Sequence, residues 1–325
     1  MSKMSIDPTR HALSGATMGT RWSALFYADP GFDPGPLHAA LQAAVGEVDD
    51  QMSTWKSDSA LMALNAAPAG VWVEVPTHLM TVLRAAIGVG AASDGAFDIG
   101  VGDAVAAWGF GPQAADAVQI TRLLATAPAR RPAHEVLDLD LDPARPRVRK
   151  AAPLALDLSG IAKGYGVDRL AEVTVAAGIN AALLSLDGEV RAIGLRPDGT
   201  PWAIAVERPD LAIRAPHAML ALEDAAVATS GDYRHWVTVG GRRLSHTMDP
   251  ARGGPLSTSP ASVTVVHESC MMADAWATAL MVRGTVQGAA LARRCRLDAL
   301  FLDRAPEEFR ETRVGALFDP SQAAG

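Results

Sequence analysis

The sequence has little cysteine and no long apolar run, and each absence excludes a class of protein. Its only two cysteines, Cys270 and Cys295, are far apart in the chain. That spacing is unlike a thiolate metal site, and two thiols cannot build a disulfide framework. No stretch approaches the roughly 18 uninterrupted apolar residues of a membrane-spanning helix. Residues 1–10 also lack the basic start, apolar core and cleavage site of a secretory signal, so we expect a cytoplasmic protein.

An excess of basic residues is also missing. The chain has 29 Lys and Arg against 36 Asp and Glu, a formal net charge of −7 and a pI near 5.6. This balance argues against a nucleic-acid-binding surface, which needs clustered positive charge. What is present is 325 residues with 49% hydrophobic content, enough for a sizeable core. We see no internal repeat or linker and predict one unit over residues 16–315, with loose termini at 1–15 and 316–325.

The apolar periodicity predicts helices and strands that do not alternate strictly. Helical stripes follow Leu37, Leu61, Thr77, Lys163, Ala273 and Val286, with a shorter helix near Thr121. Strand patterns cover residues 17–27, 71–75, 181–186, 202–206, 219–222, 236–239, 262–266 and 299–303, the last of these predicted to be the final strand. The order favours an α+β fold, a single compact unit of mostly antiparallel or mixed sheets flanked by helices.

The stretch Ala155–Asp168 reads as a tight connection between a strand and a helix. An apolar run ends at Asp157, small residues such as Gly160 follow, and the helical pattern starts near Lys163. Small residues let a ligand approach the backbone, and a helix N-terminus with a carboxylate and a lysine suits a phosphate or a metal. The alternative is that the small residues are there only because a tight strand-to-helix connection needs close packing, with no ligand bound.

Two oxygen-bearing side chains share one face of a predicted helix. Asp274 and Thr278 are four residues apart near its N-terminus. Such a pair suits Mg²⁺, which binds through few protein groups and substrate phosphates. The alternative is an Asp favoured by the helix dipole and a Thr bonded to the backbone.

His246 precedes a Pro-terminated turn, where a histidine can act as a general base or simply hydrogen-bond to its loop. Ser230 raises the question of a Ser/His/Asp hydrolase, but the glycine that the nucleophile elbow requires two residues before the serine is missing. Apolar side chains at loop ends, such as Phe97, pack in a core more often than they contact a cofactor.

Taken in order, eight segments carry a resemblance that none of them carries alone. They are Met18-Gly-Thr20, Met52-Ser-Thr-Trp55 with Leu64-Asn65, Asp94-Gly-Ala-Phe-Asp98, Trp108-Gly-Phe-Gly111, Asp157-Leu-Ser-Gly-Ile-Ala-Lys-Gly-Tyr165, Thr229-Ser-Gly-Asp-Tyr233, Ser245-His-Thr-Met-Asp-Pro250 and Ala273-Asp-Ala-Trp-Ala-Thr278. Together they resemble the ApbE family of FAD:protein FMN transferases over roughly residues 15–310.

The resemblance implies an enzyme that takes FAD as substrate and uses Mg²⁺. It would attach FMN through a phosphoester bond to a Thr or Ser of an acceptor flavoprotein and release AMP. By resemblance, His246 would act on the acceptor hydroxyl, and Gly160, Asp274 and Thr278 would hold Mg²⁺, the glycine through its carbonyl. The residues implied to line the FAD site are Met18, Trp55, Ala96, Phe97, Asp98, Asp157, Lys163 and Met248.

The chain departs from the family pattern at several positions. Asp187-Gly188 stands where paired glycines are usual, Trp55 where tyrosine is frequent, and Ala277 where some members are acidic. Many members are exported, whereas the start of this sequence shows neither a signal peptide nor a lipobox. Two alternatives stay open: hydrolysis of FAD to FMN and AMP, and FAD binding without turnover. The presence of His246, Asp274 and Thr278 favours catalysis over binding alone.

Overall fold

A computed structural model describes residues 7–126, 130–210, 215–232, 236–239, 242–306 and 308–319. In chain order, the strands are β1 (Thr9–Thr17), β2 (Thr20–Ala28), β3 (Trp72–Glu74), β4 (Leu137–Asp140), β5 (Arg147–Lys150), β6 (Ala182–Leu186), β7 (Glu189–Ile193), β8 (Trp202–Glu207), β9 (Pro216–Leu222), β10 (Ala226–Gly231), β11 (Trp236–Val239), β12 (Arg242–Ser245), β13 (Met248–Asp249), β14 (Gly254–Pro255), β15 (Ser262–His267), β16 (Asp298–Arg304) and β17 (Phe309–Val314). The helices are α1 (Pro34–Met52), α2 (Ala60–Ala66), α3 (Thr77–Ala92), α4 (Gly102–Ala107), α5 (Ala117–Thr126), α6 (Ala133–Val136), α7 (Ala162–Ala176) and α8 (Cys270–Arg294), with a 3₁₀ turn at Ile99–Val101.

The largest element is an eight-stranded sheet in the order β1-β2-β6-β7-β10-β15-β16-β17. Every neighbouring pair in it is antiparallel. Smaller antiparallel sheets are β3-β5-β4, β8-β9, β11-β12 and β13-β14. The predicted α+β fold with largely antiparallel sheets is therefore confirmed.

Both faces of the large sheet are covered, and strand alternation decides which side chains go where. On β2, Trp22 and Phe26 pack with the buried residues of α1 and α7. On β16, Phe301 packs in the cluster that includes α3 and α8, whereas Leu300 and Leu302 face the opposite cluster with the β8-β9 hairpin. Helices α1, α7 and α8 thus share one face of the sheet, and the site described below lies where α7 and α8 begin.

Helix α8 is interrupted at Gly284, whose backbone is non-helical with φ 69° and ψ 173°. The two helical patterns predicted on either side of this residue are confirmed. A left-handed φ of this kind suits glycine because it has no Cβ. After the break, Thr285 donates its hydroxyl hydrogen bond to the carboxylate of Asp303.

Two predictions about the ends of the chain were wrong. Residues 9–15, expected to be loose, belong to edge strand β1, which pairs with β2 along its whole length. Small residues in Ala12–Thr17 give little apolar alternation, so the pattern was weak. Strand β17 follows the strand predicted to be last, and Phe318 after it is buried. Residues 1–6 and 320–325 of the expected tails lie outside the described residues.

Within the described ranges, the chain contains no helix with the length and apolar content needed to cross a membrane.

Candidate functional site

The predicted strand-to-helix turn begins with a buried carboxylate. Asp157 donates its backbone N–H to the carbonyl of Ile99 at 2.8 Å, and its side chain accepts from the backbone N–H of Ser159 at 2.9 Å. Burial raises the pKa of Asp157, although hydrogen bonds from Ser159 oppose the shift. The turn is thereby joined to the segment that follows Asp98.

Gly160 brings the three predicted segments into contact. A Cβ at this position would lie 3.1 Å from Oγ1 of Thr278 and 3.3 Å from Cε2 of Phe97. The Thr278 hydroxyl also lies 3.2 Å from Oγ of Ser230 on β10. A side chain at position 160 would therefore crowd the Thr278 hydroxyl and the Phe97 ring. Packing thus favours a glycine here, in addition to the predicted need for a ligand to approach the backbone.

The first turns of α7 and α8 meet through a hydrogen bond. The backbone N–H of Gly164 donates to Oδ2 of Asp274 at 3.0 Å. Burial raises the pKa of Asp274 to about 7, the charge of Glu189 adds to the rise, and Lys163 opposes it. A carboxylate that is costly to ionise in this position would gain from a cation beside it.

Lys163 lies among carboxylates on the same side of the turn. Its Nζ is 2.8 Å from Oε1 of Glu189 and 3.4 Å from Oδ2 of Asp187. Burial lowers the pKa of Lys163, but the charges of Glu189, Asp274 and Asp187 outweigh burial and raise the pKa above its ordinary value. Lys163 is therefore a protonated, partly buried ammonium group at the N-terminus of α7.

The loop before the 3₁₀ turn is held by backbone hydrogen bonds. Phe97 donates its N–H to Oγ of Ser93, and the carboxylate of Asp98 accepts from the amides of Gly100 at 2.8 Å and Ala133 at 2.9 Å. Burial raises the pKa of Asp98, while the two amides oppose the shift. The Asp98 carboxylate thus shapes the loop that carries the buried residues Ala96 and Phe97.

A second contact ties this loop to α8. Nη2 of Arg283 donates to the carbonyl of Ser93 at 2.7 Å and to that of Asp94 at 2.9 Å. Arg283 is the last residue before the break at Gly284. The helix segment that carries Asp274 and Thr278 is thus fixed to the Phe97 loop at its far end.

His246 lies, half-buried, between β12 and β13. The next residue, Thr247, accepts a hydrogen bond from Leu256 through its carbonyl, and Met248 on β13 is buried. The β13-β14 hairpin packs on Trp108, whose Nε1 donates to the carbonyl of Gly253 at 3.2 Å. The histidine therefore lies just before a folded hairpin.

Comparison with known proteins decides the family. A profile described as ApbE family matches residues 18–301. The chain is 38% identical over 301 residues to a FAD:protein FMN transferase of Vibrio cholerae, covering 92% of this chain and 89% of the relative. This chain belongs to the ApbE family.

The solved structures agree. The flavin transferase ApbE from Vibrio cholerae superposes with a TM-score of 0.84 at 34% identity, covering 96% of this chain and 99% of that one. The apo form of the Pseudomonas stutzeri flavinyl transferase ApbE gives a TM-score of 0.83 at 34% identity, with 98% and 99% coverage. The ApbE fold therefore extends over nearly the whole chain.

In this ApbE chain the predicted site residues do not all meet. Gly160, Phe97 and Thr278 are in contact, and Asp274 reaches the same turn of α7. Trp55 follows α1 and has 67% of its side chain exposed, so its ring is open to solvent. Roles in binding or catalysis for these residues stay predictions.

Met18 turns the β1-β2 hairpin with φ 48°, and its Cε would lie 3.6 Å from a Cβ added at Gly166. This contact joins the hairpin to α7, which carries Lys163.

Tyr233 of the predicted Thr229–Tyr233 segment lies outside the described residues.

Sequence reasoning missed one polar residue at this site and assigned no contact to another, Ser230. Glu189 is buried against Lys163, and the contact forms only because the β6-β7 hairpin folds over the start of α7. Ser230 was considered as a nucleophile, but its hydroxyl contacts that of Thr278. A charged residue directly after the Asp187-Gly188 turn was the one available signal for Glu189.

The unusual Asp187-Gly188 pair has a structural explanation. It forms the two-residue loop of the β6-β7 hairpin, with φ 55° at Asp187 and 113° at Gly188. Hairpin loops of this length favour left-handed backbone, which aspartate tolerates better than most residues. Asp187 also accepts from Oγ1 of Thr20 at 3.0 Å, a contact that a glycine could not make.

Proposed function

We propose that this protein transfers FMN from FAD to a Thr or Ser hydroxyl of an acceptor flavoprotein, with Mg²⁺, and releases AMP. Membership of the ApbE family and the names of its relatives support the reaction class. The observation that carries the proposal is the meeting of α7 and α8 at Gly164 and Asp274, with Gly160 against Thr278. This arrangement places a helix N-terminus, a carboxylate and a hydroxyl around one turn.

The residues at this turn fit Mg²⁺ by their chemistry. Asp274, Thr278 and the carbonyl of Gly160 are oxygen donors, and Mg²⁺ commonly keeps water and substrate phosphate as its other ligands. When bound, Mg²⁺ would neutralise negative charge on the phosphate oxygens.

The polar and aromatic groups have separate tasks toward FAD. Lys163 brings a positive charge to the start of α7, where a helix N-terminus also favours phosphate. Phe97 is buried beside Gly160, and the exposed Trp55 offers a flat ring to a flat cofactor. The absence of a side chain at Gly160 leaves room for the diphosphate close to the backbone.

His246 is the proposed general base. It would take the proton of the acceptor hydroxyl while that oxygen bonds to the phosphorus of the FMN half of FAD. The bond from this phosphorus to the oxygen that bridges to AMP breaks, and AMP leaves with the electron pair. A neutral hydroxyl is a weak nucleophile, and a positioned base typically contributes about 10²–10⁴-fold to the rate.

The test combines the purified protein with FAD, Mg²⁺ and a candidate acceptor domain and records intact mass and AMP together. A gain of one FMN on the acceptor, lost with chelator and with Asp274→Ala, supports the transferase. AMP without a mass gain would replace the proposal with FAD hydrolysis. FAD bound with neither product, for several acceptors that relatives modify, would leave a binding protein.

A further inference from the structure

Glu189 differs from Asp168, another buried carboxylate of this region, in the hydrogen bonds that its side chain makes. Asp168 uses both oxygens: Oδ1 accepts from Arg191 and the Cys270 amide, and Oδ2 accepts from Ser269 and Met271. Both carboxylate oxygens of Asp168 therefore have partners, and the residue serves a structural role at the start of α8. Such a carboxylate is paired and hydrogen-bonded, as buried charges normally are.

Glu189 is only 3% exposed and makes one strong contact, from Oε1 to Nζ of Lys163. Its Oε2 is buried and has no hydrogen-bond partner among the described residues. An unsatisfied buried carboxylate oxygen is costly, so it calls for a reason beyond folding. The hydrogen-bonded contact that its side chain makes is the one to Lys163, through Oε1.

The geometry leaves Lys163 with capacity for a ligand. An ammonium group has three N–H donors. Glu189 takes one at 2.8 Å, and Asp187, which is partly exposed, takes a second at the longer distance of 3.4 Å. At least one donor is left, and its direction is set by where Glu189 holds the nitrogen.

We infer that Glu189 is a positioning residue that fixes the ammonium of Lys163 so that its remaining donor points to the diphosphate of FAD. The inference rests on the proposed function for the identity of the ligand. Glu189 comes from the hairpin, whereas Lys163 comes from α7, so the ion pair also sets the spacing between these elements. A long, flexible lysine side chain would otherwise lose rotamer freedom on binding each phosphate.

The test compares Glu189→Gln with Asp168→Asn. Glutamine keeps the shape and an oxygen acceptor but removes the charge, and we expect the KM for FAD to rise about 10- to 100-fold with little change in kcat. FAD affinity measured without Mg²⁺ should fall by a similar factor. Asp168→Asn, the matched buried carboxylate, should lower the melting temperature and leave the KM unchanged.

A double-mutant cycle separates positioning from folding. Lys163→Met leaves Glu189 buried without its partner and should lower the melting temperature, and adding Glu189→Gln should restore the melting temperature but not FAD affinity. An unchanged FAD affinity in Glu189→Gln would overturn the inference. So would an equal loss of FAD affinity when Glu189→Gln is added to Lys163→Met, because the effect would then not depend on Lys163. If the wild type binds FAD but labels no acceptor, the proposed function fails while the affinity comparison still decides the role of Glu189.

Discussion

Gly164 lies directly against the backbone of Cys270. A Cβ on Gly164 would stand 2.4 Å from the Cys270 carbonyl oxygen and 2.8 Å from Cβ of Asp274. Neither neighbour is the free end of a flexible side chain, so the two helices would have to separate. The approach that lets Gly164 bond to Asp274 therefore depends on the absence of a side chain.

Gly164→Ala should lower the free energy of unfolding by about 1–3 kcal/mol, the usual cost of overpacking. Urea denaturation measures it. Gly88→Ala is the matched control, because Gly88 is an exposed glycine within α3 and no atom lies within 4 Å of a Cβ there. The control should gain up to about 1 kcal/mol from helix propensity, and equal losses in both variants would contradict the packing argument.

Asp274→Asn should remove the stabilisation that Mg²⁺ gives and abolish Mg²⁺-dependent transfer. In Mg²⁺-free buffer at pH 8, the variant should melt no lower than the wild type, because burial disfavours the charged form of Asp274. Thermal melts with and without Mg²⁺ make the comparison. A variant that still responds to Mg²⁺ as the wild type does would remove Asp274 from the metal site.

His246→Ala should slow transfer by about 10²–10⁴-fold while FAD binding stays close to that of the wild type. Single-turnover labelling of the acceptor gives the rate, and flavin fluorescence gives the affinity. His38→Ala provides the control, since His38 lies on α1 and contacts the carbonyl of Ser14. Loss of FAD binding in His246→Ala would mean that this histidine supports the hairpin instead.

His267 should make stability depend on pH. Burial lowers the pKa of His267, and the charges of Glu268 and Asp168 oppose this shift without cancelling it. The Nδ1 atom of His267 accepts a hydrogen bond from the Ser269 amide, as a neutral ring does. The folded state therefore binds this proton less readily than the unfolded state, whose histidine titrates near pH 6.5. Its stabilising contribution is complete above that pH and is lost as pH falls below it.

His267→Asn keeps an acceptor for the Ser269 amide but does not titrate in this range. Chemical denaturation of both proteins between pH 7.5 and 5 should show a steeper loss of stability in the wild type. Parallel curves would show that His267 contributes nothing to the acid response.

The local pattern predicted most elements but not the edges of the sheet. The apolar stripes that follow Ala273 and Val286 predicted two helices, and the structure has a break between them at Gly284. Strand β1 was missed because Ala12–Thr17 is built of small residues that pair well yet give little hydrophobic alternation. Pairing with β2 supplies the stability that the pattern of β1 does not indicate.

At the candidate site, the sequence identified most of the residues but could not predict which of them contact each other. Gly160 and Thr278 could be named from their motifs, whereas their contact with each other depends on how α7 packs on α8. Glu189 escaped notice because its partner Lys163 is on another element, and no local spacing links the two. Long-range packing decides which of several polar residues become neighbours.

The break at Gly284 divides α8 into two parts with separate anchors. The part before it is capped by Asp168 at its start and tied to the Phe97 loop through Arg283 at its end. The part after it is joined to β16 through Thr285 and Asp303. The part after the break is also packed in the core through Ala289, Leu291 and Ala292, and Arg294 donates to the carboxylate of Asp94. Both halves of α8 therefore brace the loop that carries Phe97, one from each side of the break.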